Sequence, residues 1–136
     1  MKTATLAWRW FTGCALIVLL AACAQAPVAK PPEPMGLMDI TERPAERALL
    51  NGLRAYDDGQ YADAEKHFSE AVKAGLVSAK DRAAAYKHLA FVYCTSRREA
   101  LCEAAFKAAR AANPAFALSK SEAGHPVWGP VYKRLN

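Results

Sequence analysis

Residues 52–71 read GLRAYDDGQYADAEKHFSEA, and residues 90–109 read AFVYCTSRREALCEAAFKAA. Apolar and small side chains recur in both at intervals of three and four, the spacing of one face of an α-helix. In the first stretch Asp57-Asp58-Gly59-Gln60 interrupts the pattern as a turn, and in the second Thr95-Ser96-Arg97 does so. Working outward, four helices are predicted. The first opens near Thr41 as N-cap, with Pro44 tolerated in its first turn, and carries Leu49, Leu50, Leu53 and Tyr56 on one face. The second carries Tyr61, Ala64, Phe68, Ala71 and Val72 and stops at Gly75. Ser78 and Asp81 are both candidate caps for the third, whose face is Ala85, Tyr86, Leu89, Ala90 and Tyr93. Ser96-x-x-Glu99 has the form of a capping box for the fourth, with Leu101, Cys102, Ala105, Phe106 and Ala109 facing inward and Asn113-Pro114 ending it. No strand-like alternation is long enough for a sheet, so the fold class is all-α.

Two helix pairs of similar length that match each other point to a repeat. Gly52, Gly59, Tyr61, Ala64, Phe68 and Ala71 mark one unit; Leu89, Ala90, Tyr93, Cys102, Phe106, Ala109 and Pro114 mark the other. The pattern resembles the tetratricopeptide repeat. Small residues at Ala64 and Ala90 let paired helices approach, and Phe68 and Phe106 fill the space beside them. The units lie 38 residues apart, Gly52 to Ala90, rather than about 34, which lengthens the Gly75–Lys80 connection. The second unit has no glycine at its turn and has Cys102 where the motif expects alanine. The resemblance implies a short α-solenoid over residues 41–136. Phe116, Leu118, Val127, Trp128, Val131 and Tyr132 make the tail too apolar for a solvated end. Ser119-x-x-Glu122 is expected to cap a short helix, cut by Gly124-His125-Pro126, and the tail to pack over the fourth helix.

Residues 1–22 read as a targeting segment. Lys2 and Arg9 supply a positive start, and Trp10 to Leu20 an apolar run shorter than the ~20 residues of a membrane-spanning helix. Leu20-Ala21-Ala22-Cys23 resembles the lipobox of bacterial lipoproteins, in which small residues admit the signal peptidase and the thiol accepts diacylglycerol; an ordinary Ala-x-Ala cleavage signal is the competing reading. Cleavage would leave Cys23 as an acylated N-terminus, and two or more chains give stable anchoring. Ala24 rather than Asp after it favours the outer membrane, periplasmic face. Residues 23–40 hold Pro27, Pro31, Pro32 and Pro34 and read as a tether, reaching roughly 45 Å at about 3.1 Å per residue.

Without Lys2 and Arg9 the chain carries 16 basic and 13 acidic residues, interleaved. With no basic stripe bearing aromatics, a nucleic-acid partner is not expected. Of four cysteines, Cys14 leaves with the signal and Cys23 is acylated. Cys94 and Cys102 remain, at a spacing that suits a disulfide across antiparallel helices in an oxidising compartment, or two buried free thiols.

The order of features is more specific than the repeats. After the lipobox and tether come Gly52–Tyr61, His88–Cys94, Cys102, Pro114–Ser119 and the closing Glu122–Tyr132 stretch with its Gly-His-Pro-x-Trp-Gly-Pro. This resembles the TssQ family of type VI secretion-associated lipoproteins across nearly the whole chain after the signal. The resemblance implies an accessory, non-enzymatic role near the secretion machine's envelope complex. A general envelope-assembly or pilus-biogenesis lipoprotein with the same repeats is the alternative, and a peptidoglycan-active enzyme a remote third.

The residues themselves offer little chemistry. No His-Glu-x-x-His or Cys-x-x-Cys occurs, and no cofactor, metal or small-molecule substrate is expected. His67 is expected to face solvent, His88 to be a semi-buried histidine or part of a groove, and His125 to position backbone. Stacked hairpins form concave surfaces suited to peptides or partner helices. Asn51, Arg54, Tyr86, His88 and Trp128 are the candidate partner-binding residues, and the expected partner is an envelope protein.

Overall fold

The computed structural model describes Gly36 and residues 42–135. Cys23, the other tether residues and Thr41 lie outside the described residues, as does the expected targeting segment. Among the described residues there are helices and turns and no strand: α1 Pro44–Asp57, α2 Tyr61–Ala74, α3 Ala79–Thr95, α4 Glu99–Ala112, α5 Lys120–Ala123 and α6 Gly129–Arg134. The main packing partners are α1 with α2, α2 with α3 and α3 with α4, so the chain is two helical hairpins laid side by side.

The hairpins repeat each other atom for atom at their turns. Asp58 N–H donates to Arg54 O (2.9 Å), Gly59 to Tyr56 O (3.0 Å) and Gln60 to Ala55 O (2.7 Å). Exactly 38 residues on, Ser96 donates to Val92 O (3.0 Å), Arg97 to Cys94 O (3.1 Å) and Arg98 to Tyr93 O (2.8 Å). Gly59 takes φ 73° in the first turn and Arg97 takes φ 61° at the same place in the second. This register corrects the expected capping box. Ser96 is the C-cap of α3, not the N-cap of α4; its hydroxyl turns back to Val92 O (2.7 Å), and Arg98 fills the N-cap without a side-chain bond. The turn's length, fixed by the repeat, decides where α4 starts. At the other end of the first hairpin Arg43 is the N-cap, directly before Pro44.

Small residues let each pair close. A Cβ on Gly52 would lie 2.7 Å from two carbons of the Phe68 ring. Phe68 and Phe106 are completely buried, as are Ala64, Ala71, Ala90, Cys102 and Ala109. Gly75, at φ 89°, caps α2 in the left-handed conformation expected of it. Ser78 is the N-cap of α3 and accepts from Asp81 N–H (3.3 Å), while Asp81 sits in the first turn, where its charge suits the helix dipole. Arg82 fixes the long connection by donating to Leu76 O and Val77 O, both at 2.8 Å. Three side chains expected to face inward do not. Leu50 is 44% exposed and Leu101 is exposed as well, each one step beyond the stripe that meets the neighbouring helix, and Tyr61 is exposed at the first position of α2.

The tail continues the register. Gly52, Ala90 and Trp128 are spaced 38 residues apart, and α5 with α6 spans the positions equivalent to α1 and most of α3. The tail is a third first-helix, broken at Gly124-His125-Pro126. Ser119 and Glu122 form the capping box expected there, with Glu122 N–H to Ser119 Oγ at 3.2 Å and Ser119 N–H to Glu122 Oε2 at 2.9 Å. A Cβ on Gly129 would stand 2.6 Å from Ala123 O, so only glycine lets the two short helices meet. The tail covers α3 as well as α4: Trp128 stacks on Phe91 (ring centroids 4.2 Å apart), and Tyr132 meets Phe106 edge-on (5.2 Å). Val127, expected in this apolar set, is exposed.

Candidate interaction surface

Helices α1 and α2 converge on His88 of α3. Its ring lies parallel to Phe68 of α2 (5.1 Å), edge-on to Tyr56 of α1 (5.2 Å) and edge-on to Phe91 of α3 (5.9 Å). Tyr56 passes the contact on to Tyr61 (5.5 Å), and Phe91 to Trp128. Trp128 is sandwiched by the parallel His125 ring at 3.3 Å, and its indole N–H donates to Glu122 O at 2.8 Å. A chain of rings therefore runs from the first hairpin through α3 into the tail. Edge-to-face and offset geometries of this kind each add about 0.5–1.5 kcal/mol beyond area burial.

Polar groups border the rings. Lys87 Nζ lies 2.7 Å from Glu122 Oε1, which ties α3 to the tail. Burial alone would raise the Glu122 carboxyl, but the bonds from Lys87 and Ser119 outweigh it and hold it below the usual carboxylate range. His88 is pushed the other way. Burial, with Lys87 adding to it, lowers its pKa, against the opposing pull of the Ala84 backbone bond and of Glu122 and Asp57. The Ala84 carbonyl accepts a hydrogen bond from His88 Nδ1 at 2.8 Å, so Nδ1 carries the proton and Nε2 is the acceptor of the neutral ring. Tyr56 is raised by its burial and by the nearby Tyr61, Asp57 and Glu122.

The five candidate partner-binding residues separate. His88 and Trp128 belong to one cluster, bridged by Phe91. Trp128 is only 9% exposed, and its indole holds the tail to α3. Asn51 lines a different feature, a shallow groove of about 270 Å³ between α1 and α2 that also holds Arg47, His67 and Glu70. Arg54 is exposed on α1, and Tyr86 is half-buried and packed against the core. No ring contact or hydrogen bond among the described residues joins Asn51, Arg54 or Tyr86 to the His88 cluster. Lys87, Phe91 and Glu122 are the partners that sequence reasoning passed over as a group. Lys87 and Glu122 are 35 residues apart, and no local pattern links them.

Cys94 and Cys102 stand at bonding distance, Sγ to Sγ 2.07 Å, and tie the end of α3 to the start of α4. His67 pairs with Glu70 at 3.2 Å, and His125 Nδ1 accepts from Val127 N–H at 3.2 Å, so it does hold backbone. Among the described residues no cluster of His, Cys, Asp and Glu is placed to hold a metal ion, and no helix is long and apolar enough to cross a membrane. No protein-family model, curated protein or solved structure matches the chain.

Proposed function

We propose that this protein is a lipid-anchored periplasmic interaction module, an accessory scaffold of a type VI secretion system like the TssQ lipoproteins it resembles. In this reading Cys23 carries the acyl chains at the outer membrane, and the Pro-rich segment holds the helical domain away from the lipid. The two hairpins act as tetratricopeptide-like units, and they contact an envelope protein rather than carry out a reaction. One observation carries the reading: a Leu-Ala-Ala-Cys motif and Pro-rich stretch precede a helical hairpin repeated at a strict 38-residue interval. Export and anchoring explain the first part, and repeated hairpins serve chiefly to build extended binding surfaces.

The surface favoured for the contact is the one bordered by the first helices, where Tyr56, His88, Lys87 and Glu122 combine ring faces with a charge pair. Aromatic rings beside partly buried polar groups are the usual anchors of protein interfaces. The test has two stages. Metabolic labelling with an alkynyl palmitate is expected to mark the protein and to fail in Cys23→Ser; labelling that survives the substitution ends the anchor assignment. Crosslinking in intact cells, followed by purification and mass spectrometry, is then expected to recover secretion-system membrane components. Recovery of only outer-membrane assembly or pilus proteins, with secretion unchanged in a deletion strain, would overturn the secretion assignment.

A further inference from the structure

The two halves of the domain are held by different means. The second hairpin and the tail are tied by the Cys94–Cys102 pair, the Phe91–Trp128 stack, the Phe106–Tyr132 contact and the Lys87–Glu122 ion pair. The first hairpin meets α3 through a shared buried core, through the rings of Tyr56 and Phe68 on His88, and through an Arg98–Glu65 ion pair at the rim. A histidine is not what the repeat itself demands there. The equivalent residue 38 positions earlier is Leu50, an apolar side chain. The one imidazole in the joint is thus also the residue whose ring meets both helices of the first hairpin from α3.

We propose that His88 is a proton-operated joint. Neutral, it locks the first hairpin onto α3; with a second proton, on Nε2, it loosens that contact while α3, α4 and the tail stay together. The geometry supplies the mechanism. Nδ1 already donates to Ala84 O, so the incoming proton must go to Nε2. Nε2 makes no hydrogen bond among the described residues, and none of their fully buried side-chain nitrogens lacks a partner, so Nε2 is not completely sealed off and a proton can reach it. The resulting cation lies among Phe68, Tyr56 and Phe91. From α1 it faces Tyr56 and Asp57, from α2 the Phe68 ring, from the tail Glu122, and from its own helix Lys87. Glu122 is committed to Lys87, and no carboxylate bonds the ring. Ring faces attract a cation, but the gain is smaller than the loss of its hydration in a partly buried site.

The sign follows from the lowered pKa. The unfolded chain takes up a proton near the ordinary histidine value of about 6.5 while the closed joint does not. Stability of the joint is therefore complete above that pH and falls as the pH drops through 6.5 toward the lower value of the closed state. The carboxylates of Glu122 and Glu65 stay ionised across this window, both being held below the usual range.

Amide hydrogen exchange on the full processed chain at pH 7.5 and pH 5.5, corrected for intrinsic rates, tests the joint. Amides of α1 and α2 are expected to lose up to about tenfold protection at pH 5.5, the most one histidine can supply over this interval, with α4 and α6 unchanged. His88→Phe keeps a ring in place without a titrating group and is expected to abolish the difference. Should that variant fail to fold, His88→Gln, neutral at both pH values, is read in the same way. An NMR titration that places His88 at or above 6.5 overturns the proposal. So does equal acid loosening in wild type and variant, or loosening spread evenly over both hairpins.

Discussion

Single residues set the tolerances of this small domain. Gly52 packs where a methyl group would overlap the completely buried Phe68 ring at 2.7 Å, and that ring is also stacked against His88. Gly52→Ala gains roughly 0.5–1 kcal/mol of helix propensity. It also overpacks the core, at a cost of about 1–3 kcal/mol. Net destabilisation of about 1 kcal/mol is expected in urea unfolding, and Phe68→Leu in the same chain should recover part of it. A gain in stability would mean that Phe68 has room to move. Arg97 is the converse case. It is exposed and holds φ 61°, a conformation that costs a residue with a side chain about 1 kcal/mol. Gly59 occupies the equivalent turn in the first hairpin without that cost. Arg97→Gly is therefore expected to stabilise the protein by about 0.5 kcal/mol, after the added freedom of glycine in the unfolded chain is deducted. An unfolding midpoint that falls would show that the Arg97 side chain makes a contribution of its own.

At the level of elements, the four long helices and most of their ends are legible in the sequence because local chemistry decides them. Gly75, Ser78, Asn113 and the Ser119–Glu122 box all act within one turn of the chain. Ser96-x-x-Glu99 has the same local form and fails, because α3 runs on to Thr95 and the serine hydroxyl is needed at a helix end instead. Phe91 and Val92 escaped the expected face of α3 for a related reason. That helix buries Ala83, Ala85, Cys94 and the whole run from Leu89 to Val92, which point in several directions, so no single stripe stands out. It touches α2, α4 and the tail at once, and burial on several sides erases the periodic signal.

One link between elements has a pH signature. Arg98 grips Glu65 with two bonds, 2.9 and 2.5 Å, and joins the α3–α4 turn to α2. The bond from Arg98 holds the Glu65 carboxyl below its ordinary range despite some burial. A carboxyl lowered by folding stabilises above its unfolded value of about 4.3 and stops doing so as the pH falls through the folded value. Both side chains are partly exposed, so solvent screening keeps the contribution under about 1 kcal/mol. Glu65→Gln should therefore narrow the gap in stability between pH 6 and pH 3 by less than that amount, read from urea midpoints. An unchanged gap would show that the pair adds nothing beyond the neutral bonds.

At the scale of the whole molecule, the sequence shows the repeat but not how the tail completes it. The equivalence of Trp128 with Gly52 and Ala90 is hidden by the Gly-His-Pro break and by the absence of any helix-like periodicity across it. Trp128 reads both as part of the packed tail and as a candidate contact residue; it is buried, and the His88 cluster it belongs to is assembled from four separate segments. The same asymmetry predicts where covalent reinforcement matters. Cys94 and Cys102 close a loop of only 8 positions. On the chain-entropy account such a short loop still contributes about 2–3 kcal/mol, by restricting the unfolded state. That is a large share of the stability of a domain this size, for which 5–15 kcal/mol is usual. The paired substitution Cys94→Ala and Cys102→Ala removes the cross-link without leaving a lone thiol. It should lower the urea midpoint markedly while leaving the slope of the transition nearly unchanged, and reductant should reproduce the shift in the parent chain and have no effect on the variant. The second hairpin should lose its advantage over the first, so that exchange protection in α4 falls toward that of α2. If reductant leaves the parent chain unaffected, the two cysteines are thiols in solution. The second hairpin would then owe its rigidity to the tail, through Trp128 and Tyr132 alone.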